Sequence, residues 1–129
     1  MFALDTSTLS CWLRGEGQVA ERVRSVRPAD VALPSVVVYE INFGLRRAGR
    51  QRQLGEFARL VQLVQVLDFD VEAADHAARI RTELEESGTP IGPHDLLIAA
   101  TARRHRRTLV THNTREFKRV SGLALDDWY

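Results

Sequence analysis

The chain has a single cysteine, Cys11, among its 129 residues, so no disulfide can form within it and a reducing compartment is its natural setting. No apolar run approaches the roughly 20 residues that a membrane-spanning helix needs. The opening Met1-Phe2-Ala3-Leu4-Asp5 has neither the basic start nor the long apolar stretch of a secretory signal, and a soluble cytoplasmic protein is expected. There is no Gly-x-Ser-x-Gly elbow and no Gly-rich phosphate loop, which excludes the α/β-hydrolase and P-loop readings. His94, His105 and His112 lack the spacing of a zinc motif, and no cysteine assists them. Repeats, low-complexity stretches and interdomain linkers are also absent.

Charge of one sign is lacking too: 18 basic residues face 17 acidic ones for a net +1, so the total implies neither nucleic acid nor membrane. The distribution says more. Every basic residue except Lys118 is an arginine, and two tight runs stand out, Arg46, Arg47, Arg50, Arg52 and Arg103, Arg104, Arg106, Arg107. Each run can form a phosphate-attracting rim or simply decorate solvated helix ends. With 44% hydrophobic residues the chain has enough apolar material for one core, a single domain over residues 1–129.

Short apolar runs alternate with helical patterns. Phe2–Leu4, Val31–Leu33, Val64–Phe69, Thr108–Thr111 and Leu123–Leu125 read as strands. Helices are expected over Thr8–Leu13, Val19–Val26, from Ser35 as N-cap to the Gly49 region, Gln51–Gln62, Val71–Ser87 and His94–Arg104, the last opened by Pro93. His112-Asn113-Thr114 reads as a capping or turn cluster, and Trp128 as an anchor for the last residues. Such alternation predicts an α/β fold, a three-layer α/β/α sandwich around a mostly parallel sheet, with ligands beyond the C-terminal ends of its strands.

Three acidic residues are singled out by position. Asp5 ends the first strand and can equally be a helix N-cap. Glu40 has Val36 and Phe43 as helix-surface neighbours, so its carboxylate needs a partner or a cation, with Arg47 as the simple alternative. Asp95 sits in the first turn of an apolar helix, where free N–H groups and the helix dipole favour the ionised form. Converging carboxylates without thiol or paired imidazole ligands suit Mg²⁺ or Mn²⁺, which can polarise a phosphate and activate a water.

Four segments carry a family resemblance: Leu4-Asp5-Thr6-Ser7, Tyr39-Glu40-Ile41 running on to Gly44-Leu45, Ile91 to Ala100 around Pro93-His94-Asp95, and Leu109 to Phe117 around Thr111-His112-Asn113. In order and spacing the chain resembles the PIN-domain ribonucleases, specifically the VapC-type toxins. The resemblance implies a Mg²⁺- or Mn²⁺-dependent endoribonuclease, a homodimer, and inhibition by a VapB-type antitoxin. It places Asp5, Glu40 and Asp95 as metal-binding and catalytic residues. Asn113 stands at the fourth family position, often aspartate, where it can orient a water but adds no charge. Ser7, Thr111 and Arg115 are candidates for contacting RNA.

Two rival readings exist. A receiver domain needs an acidic pair after the first strand, a central phosphorylatable aspartate and a late lysine. Asp5 is single, Asp68 and Asp70 do not match that pattern, and Lys118 lies past the strand. A PIN-like module that only binds RNA or protein is the alternative within the same fold, and three intact acidic positions argue against it.

Overall fold

The computed structural model describes residues 1–129. Five short strands, β1 (Phe2–Leu4), β2 (Val31–Pro34), β3 (Gln65–Leu67), β4 (Thr108–Val110) and β5 (Leu125–Asp126), form one sheet in the order β3-β2-β1-β4-β5. All four pairings are parallel. A parallel sheet is covered by helices on both faces, which is why β2 is buried at every position and reads as an unbroken apolar run. The sheet expected to be mostly parallel is wholly so, and the α/β/α sandwich holds.

Seven helices surround it: α1 (Thr6–Leu13), α2 (Gly17–Ser25), α3 (Ser35–Arg47), α4 (Gln51–Leu63), α5 (Val71–Glu86), α6 (Pro93–Arg104) and the one-turn α7 (Thr114–Phe117). Their ends follow local chemistry. The Asp70 side chain caps α5 by accepting from the Ala73 N–H at 2.8 Å. That helix stops at Gly88, whose φ of +68° is the left-handed closing position that glycine fills without strain. Pro93 occupies the first position of α6, where its missing N–H costs nothing. Along α6, Ile98 to Ala102 are all buried, as its apolar sequence requires.

The core joins Leu4, Leu33, Leu67 and Leu109 from the strands to Phe57, Phe117 and Trp128. Trp128 is 1% exposed and meets Phe2 edge-on at 5.0 Å, so it does anchor the last residues. Cys11 is buried and unpaired. No helix is long and apolar enough to cross a membrane.

Several boundaries differ from the sequence reading. Helix α1 begins at Thr6 because Asp5 is its cap. Strand β3 is confined to Gln65–Leu67, since the Phe69 N–H turns away to the Ser35 hydroxyl at 3.2 Å. That bond also means Ser35 does not cap α3; the cap position is Pro34 and has no side-chain bond. Strand β5 starts at Leu125, in register with Leu109, two residues later than expected. Thr114–Phe117 is one helical turn with Asn113 at its cap position, which decides the capping-or-turn cluster in favour of a cap, and Pro28–Asp30 forms a short 3-10 turn before β2.

Candidate functional site

Sheet order reverses between β1 and β4, and in open α/β sheets that reversal opens a crevice at the C-terminal strand ends. Leu4 and Val110 are paired there, so the residues that follow them, Asp5 and Thr111, emerge side by side. The Asp5 N–H donates to the Val110 carbonyl at 3.1 Å. The Asp5 carboxylate accepts from the Thr111 hydroxyl at 2.6 Å through Oδ2 and from the Thr8 N–H at 2.9 Å through Oδ1. Asp5 is therefore a helix cap and a site residue at once. Only 5% of it is exposed, and burial raises its pKa against the pull of those hydrogen bonds, with the Glu40 charge adding to the rise.

Glu40 projects from α3 toward the same place. Its Oε1 accepts from the Thr6 hydroxyl at 2.6 Å, and its Oε2 lies 3.2 Å from Nδ1 of His94. Arg47 is not its partner. The His94 ring in turn meets Tyr39 edge-on at 5.6 Å, which ties the start of α6 to α3.

Helix α6 runs into β4, so its N-terminus sits at the C-terminal end of the sheet and delivers Asp95 to the crevice. The Asp95 carboxyl is pushed up to about 6, by burial first and then by the carboxylates of Glu116, Asp5 and Glu40. This corrects the expectation that the helix start favours its ionised form. A half-buried group facing three like charges outweighs the dipole of one helix end.

Glu116 is the residue that sequence reasoning missed. Its Oε1 accepts from the Gly92 N–H at 3.0 Å, while its Oε2 takes the Asn113 side-chain amide. It thereby clips α7 to the loop before α6. The signal was present: Asn113 and Glu116 have the spacing of a helix N-cap and its third residue, where an acid belongs. Asn113 itself is exposed at the head of α7, with its N–H on the Thr111 hydroxyl at 3.0 Å.

The remaining candidates fall as follows. Thr111 is fully buried with its hydroxyl committed to Asp5, so it positions the carboxylate. Ser7 is exposed in the first turn of α1, and Arg115 is exposed on α7 with no ion pair. The second arginine run lies at the C-terminal end of α6, at the far end of that helix from Asp95. There Arg103 donates to His76 and to the Ser121 carbonyl, each at 2.9 Å, Arg104 pairs with Asp70 and Glu72, and Arg107 donates to Gln65. It braces the opposite end of the fold and is no rim of the site. The first run stays exposed.

Asp5, Glu40 and Glu116 thus all bear on Asp95, an all-oxygen set whose one basic neighbour is His94. No three acidic or histidine side chains are drawn together into a ready ligand cage. Carboxylate oxygens are nevertheless the donors Mg²⁺ prefers, and it reaches part of such a set through the waters it keeps. A cavity of about 260 Å³ between Arg81, Leu84, Pro90 and Leu96 contains none of the four.

Comparison with known proteins identifies the family. Residues 2–123 match the PIN domain family. The chain is 34% identical over 128 residues to the tRNA(fMet)-specific endonuclease VapC of Shigella flexneri, covering 98% of this chain and 97% of that one. It belongs to the VapC-type PIN-domain family. The VapC of Salmonella typhimurium, also a tRNA(fMet)-specific endonuclease, is 31% identical over 128 residues with the same coverage. Among solved structures, the VapC-type fold superposes on DNA-bound VapBC from Salmonella typhimurium with a TM-score of 0.91 at 32% identity, covering 99% of this chain and 98% of that one. VapBC2 from Rickettsia felis, bound to a promoter DNA fragment, gives 0.89 at 27% identity over the same shares. The receiver-domain reading is thereby excluded.

Proposed function

We propose that this VapC-type PIN domain is an endoribonuclease dependent on Mg²⁺ or Mn²⁺, the toxin of a pair whose VapB-type antitoxin inhibits it, and that it acts as a homodimer. The observation that carries the reading is the convergence of Asp5, Glu40, Asp95 and Glu116 on the crevice at the sheet's reversal point, where burial and the other three carboxylates raise the Asp95 carboxyl. A stable fold gains nothing from repelling acids placed together, whereas a divalent cation reconciles them. Asp5, Glu40 and Asp95 would hold it. When bound, such an ion polarises a phosphate oxygen and lowers the pKa of a water that can attack the phosphodiester in line.

The chain's own residues prepare that chemistry. Thr111 and the Thr8 N–H fix both oxygens of Asp5, and Thr6 with His94 fixes both of Glu40, so neither acid has to be ordered when RNA arrives. Asn113 and Gly92 hold Glu116 beside Asp95, where its charge keeps the local potential negative until a cation enters. The reading as a mere binding module is the poorer one, because binding an anionic polymer is weakened by an unneutralised acidic cluster.

The test is to incubate purified protein with total RNA, with and without Mg²⁺, and to map the cut ends. Initiator tRNA is the first defined substrate to try, because the Salmonella and Shigella relatives are tRNA(fMet)-specific endonucleases. Cleavage is expected with Mg²⁺ or Mn²⁺, to stop with chelator, and to be absent in Asp95→Asn. Undiminished cutting in excess chelator would falsify the metal dependence, and binding without cutting would leave the module.

A further inference from the structure

The rim of the site carries an aromatic pair that the carboxylate chemistry does not use. His112 lies between Thr111, whose hydroxyl holds Asp5, and Asn113, whose amide contacts Glu116. Its ring stacks on that of Tyr129, with centroids 4.2 Å apart and planes 27° from parallel. Both rings keep solvent-facing surface: the His112 side chain is 63% exposed and Tyr129 42%.

The pair is held in place. Asp127 fixes both partners, with Oδ2 at 3.1 Å from Nδ1 of His112 and Oδ1 accepting the Tyr129 N–H at 3.0 Å. Trp128, between Asp127 and Tyr129 in the chain, is buried, and its indole N–H donates to Asp126 at 3.0 Å. The Asp126 carbonyl accepts the Thr111 N–H at 2.9 Å, so the last residues and the loop bearing His112 form one hydrogen-bonded unit. Trp128 already closes the core at this end, so the fold has no need of a second, exposed aromatic stack.

We propose that His112 and Tyr129 form a stacking platform for a nucleobase of single-stranded RNA adjacent to the scissile phosphate. The proposal rests on the endoribonuclease reading and adds a substrate subsite to it. Unpaired bases are recognised by laying their faces on aromatic side chains, a contact that tolerates sequence because every base has such a face. A preordered pair, pinned by one carboxylate, loses little freedom on accepting a third ring. A loop or other unpaired segment meets the platform most readily, since a base within a duplex has first to be unpaired and unstacked.

The test uses a short single-stranded RNA spanning a mapped cut site, with 2-aminopurine placed in turn on either side of the cut. With the Asp95→Asn protein and Mg²⁺, fluorescence should be quenched at one flanking position. Adding Tyr129→Leu should remove the quenching and weaken binding about tenfold, whereas Tyr129→Phe should keep both. In the active protein, Tyr129→Leu and His112→Ala should raise KM for this RNA more than they lower kcat. An unchanged melting temperature shows that the variants are folded. Unaltered KM and cut sites in both variants would overturn the platform while leaving the nuclease intact. If the unmodified protein cuts no RNA in Mg²⁺, the nuclease reading itself fails, and the platform with it.

Discussion

Asp95 carries a carboxyl raised from 3.8 to about 6, so the folded chain binds that proton more tightly than the unfolded chain does. Its contribution to stability is fully present below pH 4 and is lost as pH rises through about 6. A shift of this size corresponds to ~3 kcal/mol for a fully buried group; Asp95 is half open to solvent, and screening reduces the effect to about 1 kcal/mol. The metal-free Asp95→Asn protein should therefore be more stable than the original by about that amount at pH 8 and equal to it near pH 4, in urea unfolding. A variant less stable at pH 8 would show that Asp95 helps to hold the fold. A second residue marks backbone strain. Arg106 has φ +54° at the position that closes α6, where the Arg107 N–H bonds back to the Ala102 carbonyl at 2.9 Å. A side chain there costs ~1–2 kcal/mol, partly offset by the entropy that glycine loses on folding. Arg106→Gly should raise stability by about 0.5–1 kcal/mol in thermal unfolding, with cleavage unaltered.

Among the elements, α7 joins structure to site. It is a single turn, too short to hold itself, and it is kept by buried Phe117 and by the Glu116 bond to Gly92. Replacing Glu116 separates its two roles. Glu116→Gln retains an acceptor for the Gly92 N–H and should leave stability within about 0.5 kcal/mol, while removing a charge beside Asp95. Glu116→Ala removes both and should cost about 1–2 kcal/mol, read from unfolding midpoints, together with a loss of cleavage. Equal stability of the two variants would mean that the clip to Gly92 does not matter. The same element shows where sequence stops informing. Asp5 could be found because it ends an apolar strand, and Asp95 because it opens an apolar helix after a proline. Glu116 was harder to place, because the cluster around Asn113 reads as a cap or a turn, and only a cap sets an acid at the third helix position beside the site. Strand order is likewise unwritten in any local pattern, so the pairing of Leu4 with Val110, which sets Thr111 against Asp5, emerges only from the assembled sheet. The second arginine run resembled a phosphate rim along the chain, and only the direction of α6 shows that it faces away from the acids.

At the scale of the whole molecule, acids at positions 5, 40, 95 and 116 are brought together by a core that has to overcome their repulsion. Asp5 and Asp95 both have raised pKa values, so both subtract from stability at neutral pH in the absence of a cation. A ligand that binds only the folded state returns that stability in proportion to the logarithm of its concentration, about 2.7 kcal/mol at a hundred times its dissociation constant. Mg²⁺ should therefore raise the melting temperature of the unmodified protein progressively, and Asp95→Asn should flatten that rise even though it starts from a higher value. General screening would also relieve repulsion, but it depends on ionic strength alone. Melts in NaCl at matched ionic strength separate the two causes. Stabilisation by Mg²⁺ well above that of NaCl, and lost in Asp95→Asn, identifies a site that binds the ion. Equal curves in the two salts would reduce the cluster to four screened charges and remove the physical basis for metal-assisted cleavage.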